Sequence, residues 1–158
     1  MKLNIRAAKE KDIPRILDLL SQVLEVHAEI RPDLFVSGTR KYNESDLRSI
    51  LADADRPVFV AEDETGKVIG YCFCILQHVT HSNNLRESQS LYMDDLCVDE
   101  DYRGQHVGKA LCDYVVAFAR ERRCYDITLN VWEGNDRARE FYQKMGFGVR
   151  KCVMERIL

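Results

Sequence analysis

At 158 residues the chain has the length of one ordinary domain, long enough to bury a real core and too short for two. With 46% hydrophobic and 31% charged residues, three prolines and eight glycines, it is neither disordered nor fibrous. A formal charge of -3 and a sequence pI near 5.8 argue against a phosphate backbone as the main partner, so no nucleic acid is expected.

The first residues, Met1 to Arg6, run straight into charge. They offer no apolar stretch for a signal peptide or a membrane span, so a cytoplasmic protein with no membrane partner is expected. Residues 2–6 read as a short strand, after which Asp12 is placed to cap a helix with Ile13, Ile16, Leu17, Leu20, Val23 and Leu24 on one face. Periodicity then fails from His27 to Tyr42, around Pro32 and Gly38, before a short helix carrying Leu47, Ile50 and Leu51. So long a connection in a small domain suits a binding segment. Residues 57–61 and 68–76 are β-branched and aromatic runs joined by Asp63-Glu64-Thr65-Gly66-Lys67, which predicts an antiparallel hairpin; Gly70 inside the second run suggests a bulge or a close backbone approach.

A third run, residues 91–98, leads through Asp99 to Gly104 into a helix from Val107 to Arg120, with Leu111, Tyr114, Val115 and Phe118 at helical spacing. A strand over residues 126–132 follows, then a helix capped by Asn135 and stopped at Gly146, and a last strand over residues 149–157. Six cysteines are scattered without a Cys-x-x-Cys pair, four of them inside apolar patterns. They read as buried thiols, and the four histidines lack ligand spacing, so no metal is expected.

The chemistry concentrates where the strand Leu96-Cys97-Val98 passes through Arg103-Gly104-Gln105-His106-Val107-Gly108-Lys109-Ala110. A strand, a glycine turn and a helix start form an anion site, because first-turn amides lack intrahelical partners and carry the positive end of the helix dipole. Small residues at Gly104, Gly108 and Ala110 allow a bulky ligand close to the main chain. A Walker motif would need glycine at Arg103 and Ser or Thr at Ala110, and a dinucleotide fingerprint would need an opening parallel βαβ unit, so neither fits.

These residues resemble the GNAT superfamily of acetyltransferases. Gln105-His106-Val107-Gly108-Lys109-Ala110 is similar to its Gln/Arg-x-x-Gly-x-Gly/Ala motif, and residues 130–147 are similar to its later series of Asn, Ala, Phe-Tyr and Gly-Phe. Two departures stand out: His106 replaces a common glycine, and only eleven residues follow Phe147, so the closing hairpin is reduced to one strand whose edge a second subunit would cover. The resemblance implies one α+β domain over residues 1–158, with a mixed, mostly antiparallel sheet of six to seven strands and about four helices on its two faces. It also implies a likeness in activity: acetyl transfer from acetyl-CoA to a primary amine by direct attack. The shortened closing edge, covered by a second subunit, makes a homodimer the expected assembly.

By that resemblance the cofactor lies over residues 103–110, and its arm enters between two parallel strands that splay apart. Leu96, Cys97 and Val98 would meet it there, the Leu96 amide facing the acetyl oxygen. Tyr142 would protonate the departing thiolate; its alternative is a core aromatic beside Phe141. Asn135 would touch the cofactor or only cap its helix. The general base stays open among Asp94, Asp95, a water chain and His78, since Tyr92 stands where some relatives place a glutamate. Asp94 shares a face with Tyr92, whereas Asp95 faces away unless a bulge intervenes. The acceptor pocket would draw on His27, Arg31, Asp33 and Phe35, with His78 near it, or that segment is a solvated loop. Two rivals remain open: a non-catalytic acyl-CoA sensor, and an enzyme acting on protein N-termini or lysines.

Overall fold

The structure is a computed structural model that describes residues 1–158. Strands β1 (Asn4–Ala7), β2 (Val58–Glu62), β3 (Val68–Val79), β4 (Ser88–Val98) and β5 (Asp126–Thr128) form one sheet in chain order, antiparallel throughout except for the parallel pair β4 and β5. Helices α1 (Ile13–Ile30) and α2 (Glu44–Leu51) cover one face, and α3 (Val107–Glu121) and α4 (Asp136–Lys144) cover the other. Each face therefore has its own apolar layer. Ile16, Leu19 and Leu20 of α1 meet Tyr71 and Phe73 below, whereas Leu111 and Val115 of α3 meet Cys72, Cys74 and Leu91 above. Each of the fully buried Ile, Leu, Val and Phe side chains among these contributes about 1.5–3 kcal/mol. No helix is long and apolar enough to cross a membrane.

Several sequence expectations need correcting. The sheet has five strands instead of six to seven, because residues 149–157 are not a strand. None of residues 148–158 forms a backbone hydrogen bond, and Val149, Val153, Met154, Ile157 and Leu158 are exposed. Asp12 precedes α1 but does not cap it; its carboxylate is drawn to Arg6 at 2.7 Å and to the Lys9 amide at 2.8 Å. Strand β5 stops at Thr128, not at residue 132, since its pairing with β4 ends at Tyr92 opposite Thr128.

Two irregularities place the site. A Cβ on Gly70 would lie 2.9 Å from the Cys97 carbonyl oxygen and 3.2 Å from Leu111 Cδ1, so glycine there lets α3 sit down on β3 and β4. In β4, Phe73 pairs with Asp95 while Cys74 pairs with Met93, so Asp94 is one extra residue in the ladder. That bulge turns Asp94 and Asp95 to the same face, where they meet Tyr42 and Tyr71 respectively. Just past β4 the buried Asp99 pairs with Arg15 of α1, pinning the strand end that carries the following turn.

Candidate functional site

The turn after β4 exposes a run of unused donors. Gly104 has a φ of +80° and His106 of +63°, so the chain coils through left-handed positions into the start of α3. None of the amide N–H groups of residues 104 to 109 donates to an acceptor within the chain; the first to do so is Ala110, to the His106 carbonyl at 3.0 Å. His106 thus holds a backbone conformation that glycine adopts more cheaply, without removing any donor. The side chains around this run are largely committed elsewhere. Arg103 Nε donates to the Val98 carbonyl at 3.1 Å, Gln105 to the Asp101 carbonyl at 3.3 Å, and Lys109 pairs with Asp113 at 2.5 Å. Val107 is buried, and a Cβ at Gly108 would touch the Phe141 ring at 3.4 Å, so the smallness of Gly108 serves the packing of α3 on α4.

Beyond Tyr92 and Thr128 the parallel strands part, and a cleft of about 500 Å³ opens between them. Residues 129–131 form no backbone hydrogen bond, which leaves main-chain groups free along one wall. Leu96 stands on the other wall, while the Cys97 side chain turns away and its Sγ reaches the Leu19 carbonyl at 3.5 Å. Asn135 lines the cleft and also accepts from the Ala138 amide at 3.3 Å, so its two expected placements coexist.

Asp94 and Asp95 both reach this cleft, in different states. Asp94 is fully engaged: Lys41 Nζ lies 2.9 Å from one oxygen and the Tyr42 hydroxyl 2.6 Å from the other. Asp95 sits on the cleft floor and accepts one hydrogen bond, from Tyr71 at 2.8 Å. Burial pushes its carboxyl up from 3.8 to about 6, against the Tyr71 hydrogen bond and the charge of Lys41. Across from them the Tyr142 ring packs edge-on to Phe141 at 5.1 Å and Phe147 at 5.7 Å. Its hydroxyl has no partner in the chain, yet no buried side-chain polar atom is left unsatisfied, so that hydroxyl is open to the cleft. Burial raises the Tyr142 phenol well above its ordinary range and keeps it protonated.

Of the residues expected to meet an acceptor, His27 and Phe35 line the cleft, with ring centroids 5.2 Å apart. Arg31 lies outside it, over Trp132 at 6.0 Å, holding Asp33 and Glu155 at 2.7 Å each. His78 is elsewhere, exposed and opposite Gln89 toward the far end of the hairpin. Sequence reasoning passed over Lys41, Tyr42, Tyr71 and Trp132. The signals present were the only tryptophan of the chain, just after the β5 run, and a cationic and aromatic pair at the end of the irregular segment.

Comparison with known proteins agrees with this geometry. The family model described as acetyltransferase (GNAT) family matches residues 22–147. The glucosamine 6-phosphate N-acetyltransferase of Trypanosoma brucei brucei is 29% identical over 153 residues, covering 96% of this chain and 93% of its own. A crystal structure of a mutant BH1408 protein from Bacillus halodurans superposes with a TM-score of 0.94 at 30% identity, covering 98% of this chain and 99% of the other. An aminoglycoside N-acetyltransferase solved in complex with CoA superposes at 0.73 and 17% identity, covering 98% of each chain.

Proposed function

The chain belongs to the GNAT family of acetyltransferases and is an acetyl-CoA-dependent N-acetyltransferase, and on that footing we propose that it acetylates a primary amine by direct attack in the cleft between β4 and β5. One observation carries the reading: six successive unpaired amides at residues 104–109 lie at the end of the strand whose bulge puts Asp95 on the cleft floor, with the free Tyr142 hydroxyl in the same cleft. The residues fit the cofactor. The amides suit a pyrophosphate, and the parted strands leave main-chain groups for an extended arm. When bound, acetyl-CoA supplies the acetyl group as an activated thioester.

The remaining work falls to the protein. An amine arrives protonated at neutral pH and must lose that proton before it attacks. Asp95 is the base in this account. It faces the cleft with one oxygen uncommitted, and a carboxyl near 6 is mostly ionised at pH 7 while still basic enough to accept a proton. Asp94 is held by Lys41 and Tyr42 and orients the acceptor loop. The Leu96 backbone offers its amide to the acetyl oxygen. Tyr142 holds a proton at a hydroxyl open to the cleft, which would pass to the departing thiolate, and the second proton lost by the attacking nitrogen would restore the phenol.

The acting unit is a homodimer in the cytoplasm. Residues 148–158 expose apolar side chains and unpaired backbone, and the outer edge of β5 is open, so two copies can satisfy one another. Cys72, Cys74, Cys97 and Cys112 are buried free thiols, which suits a reducing compartment. Thiol release from acetyl-CoA across a panel of amines and short lysine peptides tests the activity. Amine-dependent release is expected; CoA binding with no release for any acceptor would make the protein an acyl-CoA sensor.

A further inference from the structure

The cleft has an unusual charge balance on its acceptor side. Lys41, Asp94 and Asp95 are the only side chains of fixed charge that line it. Lys41 and Asp94 cancel one another at 2.9 Å. His27 is kept neutral at physiological pH, its basicity lowered by burial and by the charge of Lys41. Arg31 is the guanidinium over Trp132 at the rim, and its two N–H edges donate to Asp33 and Glu155, outside the cleft. What remains is one uncompensated carboxylate, Asp95, beneath an apolar wall. That wall includes Phe35 and Trp132, which meet edge to face at 5.4 Å, together with Val23 and Leu24 of α1.

We propose that the acceptor is a primary amine with a single positive charge on an apolar or aromatic body, and that the Lys41–Asp94 pair sets this preference by cancelling the second carboxylate. The inference rests on the acetyltransferase reading above. A phosphorylated amino sugar, the acceptor named for the trypanosomal relative, would bring a dianion to a cleft whose single cation is already paired. A diamine or polyamine would bring a second ammonium with no free carboxylate among the residues lining the cleft to receive it. An arylalkylamine needs only what is present: Asp95 for its ammonium and the aromatic wall for its ring.

The test measures kcat/KM by thiol release for 2-phenylethylamine, 1,5-diaminopentane and glucosamine 6-phosphate, with the wild type, Lys41→Gln and Lys41→Arg. Lys41 is 43% exposed, so neither change burdens the core. The wild type should favour 2-phenylethylamine over each of the others by about tenfold or more. Lys41→Gln frees Asp94 and should raise the ratio of diamine to phenylethylamine about tenfold, which corresponds to about 1.4 kcal/mol. Lys41→Arg should keep the wild-type ratio. A wild-type preference for the phosphosugar or the diamine, or a ratio unmoved in Lys41→Gln, would overturn this inference and leave the acetyltransferase reading standing. Release with none of the three amines, nor with any other amine or lysine peptide, would overturn both.

Discussion

Replacing Asp95 with asparagine should make the protein more stable and less active. The carboxyl is half-buried on the cleft floor, and its affinity for a proton rises from 3.8 to about 6 on folding. Because the folded value lies above the unfolded one, the native state binds the proton more tightly. Stability therefore declines as pH rises through the interval between 3.8 and about 6, and the whole cost is present above it. A rise of about two units corresponds to about 3 kcal/mol at neutral pH. Asparagine can still accept from the Tyr71 hydroxyl, so the change removes charge and little else. In urea titrations Asp95→Asn should gain about 1–3 kcal/mol at pH 7.5 and close to nothing at pH 3.5. Acetyl transfer should fall about a hundredfold or more at pH 7.5, the usual contribution of a positioned base. A variant less stable than wild type at pH 7.5, or equally stabilised at both pH values, would refute the electrostatic reasoning. Wild-type turnover in the variant would refute the role of Asp95.

Gly108→Trp should abolish CoA binding by calorimetry, because a Cβ there already meets Phe141 at 3.4 Å and Val98 at 3.6 Å, and a ring must push α3, which carries the amide run, away from them; unchanged affinity would remove residues 104–109 from the cofactor site. Deleting residues 148–158 should convert a dimer to a monomer in sedimentation velocity, and an unchanged dimer would show that the tail does not join the subunits.

Local sequence patterns carried the elements that depend on local chemistry. The cap at Asn135, the stop at Gly146 and the amide run after Arg103 are each set by a few neighbouring residues, and each appears where the residue types put it. Asp95 was harder to read. Which face it takes depends on a bulge at Asp94, and a bulge is a property of the pairing with β3, not of the β4 sequence alone. Lys41 and Tyr42 were out of reach for a related reason: an irregular segment has no period, so nothing in it announces contact with a strand more than fifty residues away. The tail was misread because residues 149–157 combine apolar and charged residues as a strand does. A strand also needs a hydrogen-bonded ladder, and although Arg150 comes within 3.6 Å of Asp126 at the β5 edge, residues 148–158 form no backbone hydrogen bond with it.

The most direct test of acetyl transfer in this cleft is single-turnover transfer by Tyr142→Phe at saturating acetyl-CoA, with CoA affinity measured on the same variant. The change removes one hydroxyl and keeps the ring against Phe141 and Phe147. The account predicts a rate about a hundredfold to ten-thousandfold lower, with affinity nearly unchanged. A rate within about threefold of wild type, far short of the contribution of a positioned acid, would mean that Tyr142 only fills space and that the proton comes from elsewhere.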